Sequence, residues 1–80
     1  MENSMFEEVK KMLVDQLSLN PDDITPEADL TNDLGVNSLE MSDLILFCEE
    51  KYGLVIPEED IRNFATVGDI ANYLGSKVNH

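Results

Sequence analysis

In Asp33-Leu34-Gly35-Val36-Asn37-Ser38-Leu39-Glu40, Asn37 and Glu40 have the spacing of a helix N-cap and its third helical residue. Ser38 therefore stands at a helix start, where a serine's ordinary duty is capping. Unpaired backbone N–H groups and partial positive charge also gather there, so a phosphodiester on the Ser38 hydroxyl would be electrostatically favoured. Gly35 allows the loop to turn closely while the hydroxyl stays open. Nothing in the chain would make Ser38 a nucleophile. The single histidine is His80, at the end of the sequence, and there is no Ser-His-Asp arrangement, Gly-rich phosphate loop or Cys-x-x-Cys motif. A group on Ser38 would have to be installed by another enzyme.

Acidic residues surround this serine. Glu40 and Asp43 share a helix face near it, Asp33 precedes it, and Glu49 and Glu50 follow further along. A run of charges is ordinarily a solvated face; here it could also meet a basic partner. Counted from Asp29, the segment imitates a calcium loop, with Asp29, Thr31, Asp33 and Glu40 at the first, third, fifth and last ligand positions. The turn glycine should be sixth, but Leu34 is sixth and Gly35 seventh, so the match is read as chance and no metal site is expected. Cys48 is expected to be a small buried residue, because its Glu49-Glu50 neighbourhood opposes a reactive thiolate.

The chain has 80 residues, with 17 acidic against 5 basic and a net charge of −12. One domain spanning 1–80 is expected. The charge argues against nucleic-acid phosphates and anionic membranes as partners. A lone cysteine excludes an internal disulfide. The acidic N-terminus lacks the apolar stretch of a signal peptide, and no apolar run approaches a membrane span. These features give the expectation of a soluble cytoplasmic monomer.

Helices must position the serine. Ser4 and Glu7 have capping-box spacing, and Phe6, Val9, Leu13 and Leu17 recur at helical intervals, so a first helix is expected from about Ser4 to Leu17. Asn20-Pro21-Asp22-Asp23 breaks it. A long loop follows to Val36, pinned by Ile24, Ala28, Leu30 and Leu34. A second helix begins at Asn37 or Ser38, buries Leu39, Ile45, Leu46 and Phe47, and ends at Tyr52-Gly53. Leu54-Val55-Ile56 reads as an extended connector. Pro57 opens a short third helix to about Asn63. Thr66 and Asp69 cap a last helix with Val67, Ile70, Ala71 and Leu74 on one face, stopped at Gly75. The expected fold is all-α, a four-helix bundle with three longer helices, one short third helix and a long loop between helices one and two.

The stretch from Asp33 to Glu40 resembles the phosphopantetheine attachment motif of acyl carrier proteins, in which Leu-Gly, a variable residue and Asp-Ser-Leu follow one another. The likeness extends through Val9–Leu17, Ile24–Leu30, Glu49–Pro57 and Ala65–Ile70, in order and at family spacing. It implies that a phosphopantetheinyl transferase moves 4′-phosphopantetheine from coenzyme A to Ser38, within a motif including Gly35, Asn37 and Leu39. It implies that acyl groups ride on the arm as thioesters for fatty-acid or related biosynthetic enzymes, and that the chain catalyses nothing itself. It assigns the second helix, with Asp33, Glu40, Asp43, Glu49 and Glu50, to docking on basic patches of those enzymes. It places Leu46, Ile56, Ile61, Phe64 and Val67 around an acyl pocket, with Phe64 bulkier than the usual aliphatic residue. The sequence departs from the pattern at Asn37, where aspartate is usual, and at Ser42 and Cys48 in the second helix. Two other readings stand beside this one: a specialised aminoacyl, peptidyl or secondary-metabolite carrier, and an unmodified acidic helical adaptor for a basic partner.

Overall fold

The computed structural model describes residues 4–78. Four α-helices follow in order: α1 (Ser4–Leu17), α2 (Ser38–Tyr52), α3 (Glu58–Ile61) and α4 (Val67–Val78). Three are long and the third is a single turn, as expected. A short 3-10 turn, Pro21–Asp23, lies in the long loop. The expected capping role of the Ser4 side chain, like His80, lies outside the described residues.

α1 packs chiefly on α4 and then on α2. Val9, Met12 and Leu13 form its buried stripe, one turn apart on a 3.6-residue repeat, with Phe6 and Leu17 half-buried at its margins. α4 buries Val67, Ile70, Ala71 and Leu74, the face expected of it. Its start is fixed reciprocally: Thr66 Oγ1 accepts from the Asp69 N–H at 3.2 Å, and Asp69 Oδ2 accepts from the Thr66 N–H at 3.0 Å. Gly75 does not end α4, which continues to Val78. A glycine inside a helix costs on the order of 1 kcal/mol, which the packing of Ile70, Ala71 and Leu74 outweighs. α3 closes at Ile61, earlier than the expected Asn63.

α2 corrects the expected register. It buries Leu44, Ile45 and Cys48, while Leu39 is 78% and Leu46 54% exposed. Leu46 is two residues beyond Leu44, roughly 200° around the helix axis, so both cannot face the core. Gly53 terminates α2 in the left-handed region (φ 65°, ψ 42°), with its N–H on the Glu49 carbonyl. Beyond it, Ile56 is buried while its N–H donates to the Glu49 carboxylate at 2.8 Å. Leu54-Val55-Ile56 forms neither helix nor strand.

The long loop is sewn to the start of α4. The Leu30 N–H donates to the Ala65 carbonyl at 2.9 Å, the Val67 N–H to Ala28 at 3.1 Å and the Gly68 N–H to Pro26 at 2.9 Å. Ile24, Ala28 and Leu30 anchor the loop in the core. The next anchor is Val36, with Leu34 only half-buried.

Candidate site at the start of helix α2

Asn37 is extended (φ −92°, ψ −179°) and caps α2. Its Oδ1 accepts from the Glu40 N–H at 2.8 Å, and Glu40 Oε1 accepts from the Asn37 N–H at 3.0 Å. The capping is thus complete without Ser38, the first helical residue, which is exposed. Among the described residues no side-chain hydrogen bond engages the Ser38 hydroxyl.

The approach to Ser38 is a tight turn. Asp29 Oδ1 accepts from the N–H groups of Thr31 and Asn32 at 3.0 and 2.8 Å, and Asp33 Oδ2 accepts from the Asp29 N–H at 2.8 Å. Both carboxylates are thereby engaged with backbone inside the turn. Gly35 follows with φ 70°, its N–H on the Thr31 carbonyl at 3.1 Å. A Cβ there would meet nothing within 4 Å, so the requirement for glycine is backbone conformation alone.

A cleft of about 500 Å³ opens beside the serine. Asn37, Ser38, Met41 and Ser42 line it from α2, Thr31 and Val36 from the loop, and Glu58, Ile61, Arg62 and Phe64 from α3 and the residues after it. Of the five residues expected around a pocket, Ile61 and Phe64 line this cleft. Ile56 and Val67 are buried in the core instead, and Leu46 faces outward. Met41 could have been found from its helical spacing to Leu44 and Ile45. Thr31, Glu58 and Arg62 carried no local signal, because they meet the start of α2 only across the cleft, from the loop and from α3 and the residue after it. Arg62 pairs loosely with Glu58, at 3.9 Å, and both side chains are largely exposed.

The expected docking acids divide. Asp33 and Glu49 accept backbone hydrogen bonds from Asp29 and Ile56, and Glu40 belongs to the α2 cap. Asp43 and Glu50 are exposed, and no side-chain hydrogen bond is found for either among the described residues. Behind the cleft the Tyr73 hydroxyl donates to Asp60 Oδ2 at 2.8 Å, and the Phe64 and Tyr73 rings meet edge-on, centroids 5.2 Å apart. Burial of the Tyr73 hydroxyl, then its bond to the Asp60 carboxylate, pushes its pKa up to about 12. Cys48 is fully buried against Met12; that burial, reinforced by the charge of Glu49, pushes its thiol up to about 11. It is the small buried residue expected.

The family model described as "Phosphopantetheine attachment site" matches residues 7–74. The acyl carrier protein of Wolinella succinogenes is 37% identical over 71 residues, covering 89% of this chain and 93% of that protein. That of Clostridium perfringens strain SM101 is 43% identical over 70 residues, covering 88% and 92%. The chain belongs to the acyl carrier protein family. An acyl carrier protein is a carrier rather than an enzyme, and its cofactor is covalent 4′-phosphopantetheine. Family membership also implies dealings with a phosphopantetheinyl transferase and with acyl-handling enzymes, and it removes the reading of an unmodified adaptor. Among the described residues no helix is long and apolar enough to cross a membrane.

Proposed function

We propose that Ser38 is the attachment point of the 4′-phosphopantetheine arm. One observation carries this most of the way: Asn37 takes over the capping of α2, leaving an exposed, unengaged hydroxyl on its first turn beside a cleft. The phosphodiester fits this position because the 15-residue helix presents its positive end there. Gly35 sets the preceding turn, Asn37 holds the helix start, and exposed Leu39 offers an apolar contact to the transferase. The arm supplies a thiol that holds acyl groups as thioesters. The protein's own residues position it: Met41, Ile61 and Phe64 give the cleft its apolar wall.

The docking face on this reading is built from Asp43, Glu50, the outward oxygens of Glu40 and Asp33, and exposed Leu39 and Leu46. Glu49 serves mainly to hold the turn after α2. The partners are enzymes with basic patches, including those of fatty-acid biosynthesis, met by a single monomeric carrier domain in the cytoplasm. The test is intact mass after incubation with coenzyme A and a broad-specificity transferase. A gain of one phosphopantetheine, abolished in Ser38→Ala, is expected; a gain that persists in Ser38→Ala would sink the assignment.

A second reading, a carrier dedicated to aminoacyl or secondary-metabolite cargo, draws on the polar Ser42 and Arg62 in the cleft. Loading by adenylating ligases, compared with loading by fatty-acid enzymes, separates the two.

A further inference from the structure

Phe64 borders two hollows. On one side lies the cleft of about 500 Å³ beside Ser38, with Ile61 and Arg62 also in its wall. On the other lies a hollow of about 230 Å³ lined by Asp60, Asn63, Phe64, Asp69 and Tyr73. The Phe64 ring therefore has space behind it into which it could withdraw. What opposes withdrawal is the edge-on contact with Tyr73, at 5.2 Å and 69° between ring planes. Tyr73 is itself fixed by its hydroxyl's bond to Asp60 at 2.8 Å. That bond also ties α3 to α4. α3 is only four residues long, and its N-cap is Pro57, which makes no side-chain capping bond. So short a helix has little stability of its own, and its position depends on such ties. Lys77 lies over the other part of this arrangement, 5.4 Å from the Tyr73 ring centroid.

We propose that Asp60, Tyr73 and Phe64 form a latch that closes the inner end of the cargo cleft, with Phe64 as the gate and the Tyr73–Asp60 bond as the tie that holds it. Tyr73 and Asp60 are positioning residues; of the three latch residues only Phe64, which lines the cleft, would touch the acyl group. The latched cleft shelters short straight-chain acyl groups, and longer ones are sheltered only when the ring withdraws. This rests on the attachment at Ser38 for its cargo, but the latch itself can be examined without cargo.

The experiment has two arms on wild type, Tyr73→Phe and Phe64→Val. In the unloaded protein, amide hydrogen exchange is followed by residue. Tyr73→Phe, which keeps the ring and loses the hydroxyl, should speed exchange at Ile61 and Arg62 by about ten-fold, the scale set by losing one hydrogen bond, while α1 amides keep their wild-type rates. Unchanged exchange in α3 would overturn the latch. In the second arm the transferase loads acyl-phosphopantetheine from straight-chain acyl-coenzyme A of increasing length, and intact mass verifies loading. Wild-type Tm should rise with chain length and then level off, and both variants should level off at longer chains. The same limit in all three proteins would overturn the gate. If no variant gains mass, the assignment of Ser38 fails, and the exchange arm alone decides the latch.

Discussion

Asn37 combines two effects that substitution separates. Its side chain caps α2 through Glu40, so Asn37→Ala should cost about 1 kcal/mol and lower Tm by roughly 4–8 °C in a thermal melt. Asn37→Asp keeps an equivalent cap and places a carboxylate beside Ser38, as in the family's usual motif. Stability should then match wild type, while mass gain with a broad-specificity transferase should be faster; an equal rate would mean that the transferase does not read this charge. Cys48 gives a second test at this scale. With its thiol pushed up to about 11 by burial and the nearby Glu49, it carries almost no thiolate at neutral pH. Iodoacetamide should leave the folded protein unlabelled over times that fully alkylate it in urea, as mass spectrometry would show.

At the scale of elements, the register of α2 decides which leucines matter. Leu44→Ala should destabilise by about 2–5 kcal/mol, because it empties a fully buried site. Leu46→Ala should stay within roughly 0.5 kcal/mol in a urea titration and weaken partner docking instead. The sequence misplaced Leu46 because α2 carries Leu39, Met41, Leu44, Ile45, Leu46 and Phe47 in one stretch, and several stripes fit so dense an apolar pattern. α4 was legible because its apolar residues, Val67, Ile70, Ala71 and Leu74, allow one stripe only. The caps were legible for a similar reason: Asn37–Glu40 and Thr66–Asp69 are local, and local spacing is what a sequence states. The cleft was legible only in part, through Ile61 and Phe64, since Thr31, Glu58 and Arg62 reach it by tertiary crossing. Gly68 illustrates the same limit. A Cβ there would stand 2.9 Å from the Pro26 carbonyl oxygen, the acceptor of its own N–H. Gly68→Ala should therefore loosen the loop from α4 and speed hydrogen exchange at Leu30 and Val67, a consequence of packing that its position in an ordinary helical pattern does not announce.

For the whole molecule, a net charge of −12 and an isoelectric point near 4.1 set long-range repulsion against short-range structure. Lowering pH from 7 toward the isoelectric point removes negative charge and relieves that repulsion. Asp69 acts oppositely. Hydrogen bonds from the Ala65 and Thr66 N–H groups hold its carboxyl below the ordinary 3.8. A lowered pKa means that Asp69 contributes stability above its unfolded value, which is lost as pH falls through the folded one. At the alkaline end the signs reverse. Cys48 is raised from 9.0 to about 11, and Tyr52 and Tyr73, held up chiefly by burial, from 10.0 to about 12. Their contribution is complete below pH 9 and is lost as pH climbs through the folded values. Urea midpoints should thus fall as pH drops through and below the ordinary value of 3.8 at Asp69, and fall again as pH climbs above 9. In about 1 M NaCl, where the Debye length is near 3 Å, surface repulsion is screened and the midpoint at pH 7 should be higher than at low salt. The acid-side fall should persist, because the Asp69 bonds are direct contacts, and it should be shallower in Asp69→Asn. An acid-side fall that salt abolished would show that repulsion among the basic groups left uncompensated by protonated carboxyls, rather than the cap of α4, governs acid unfolding.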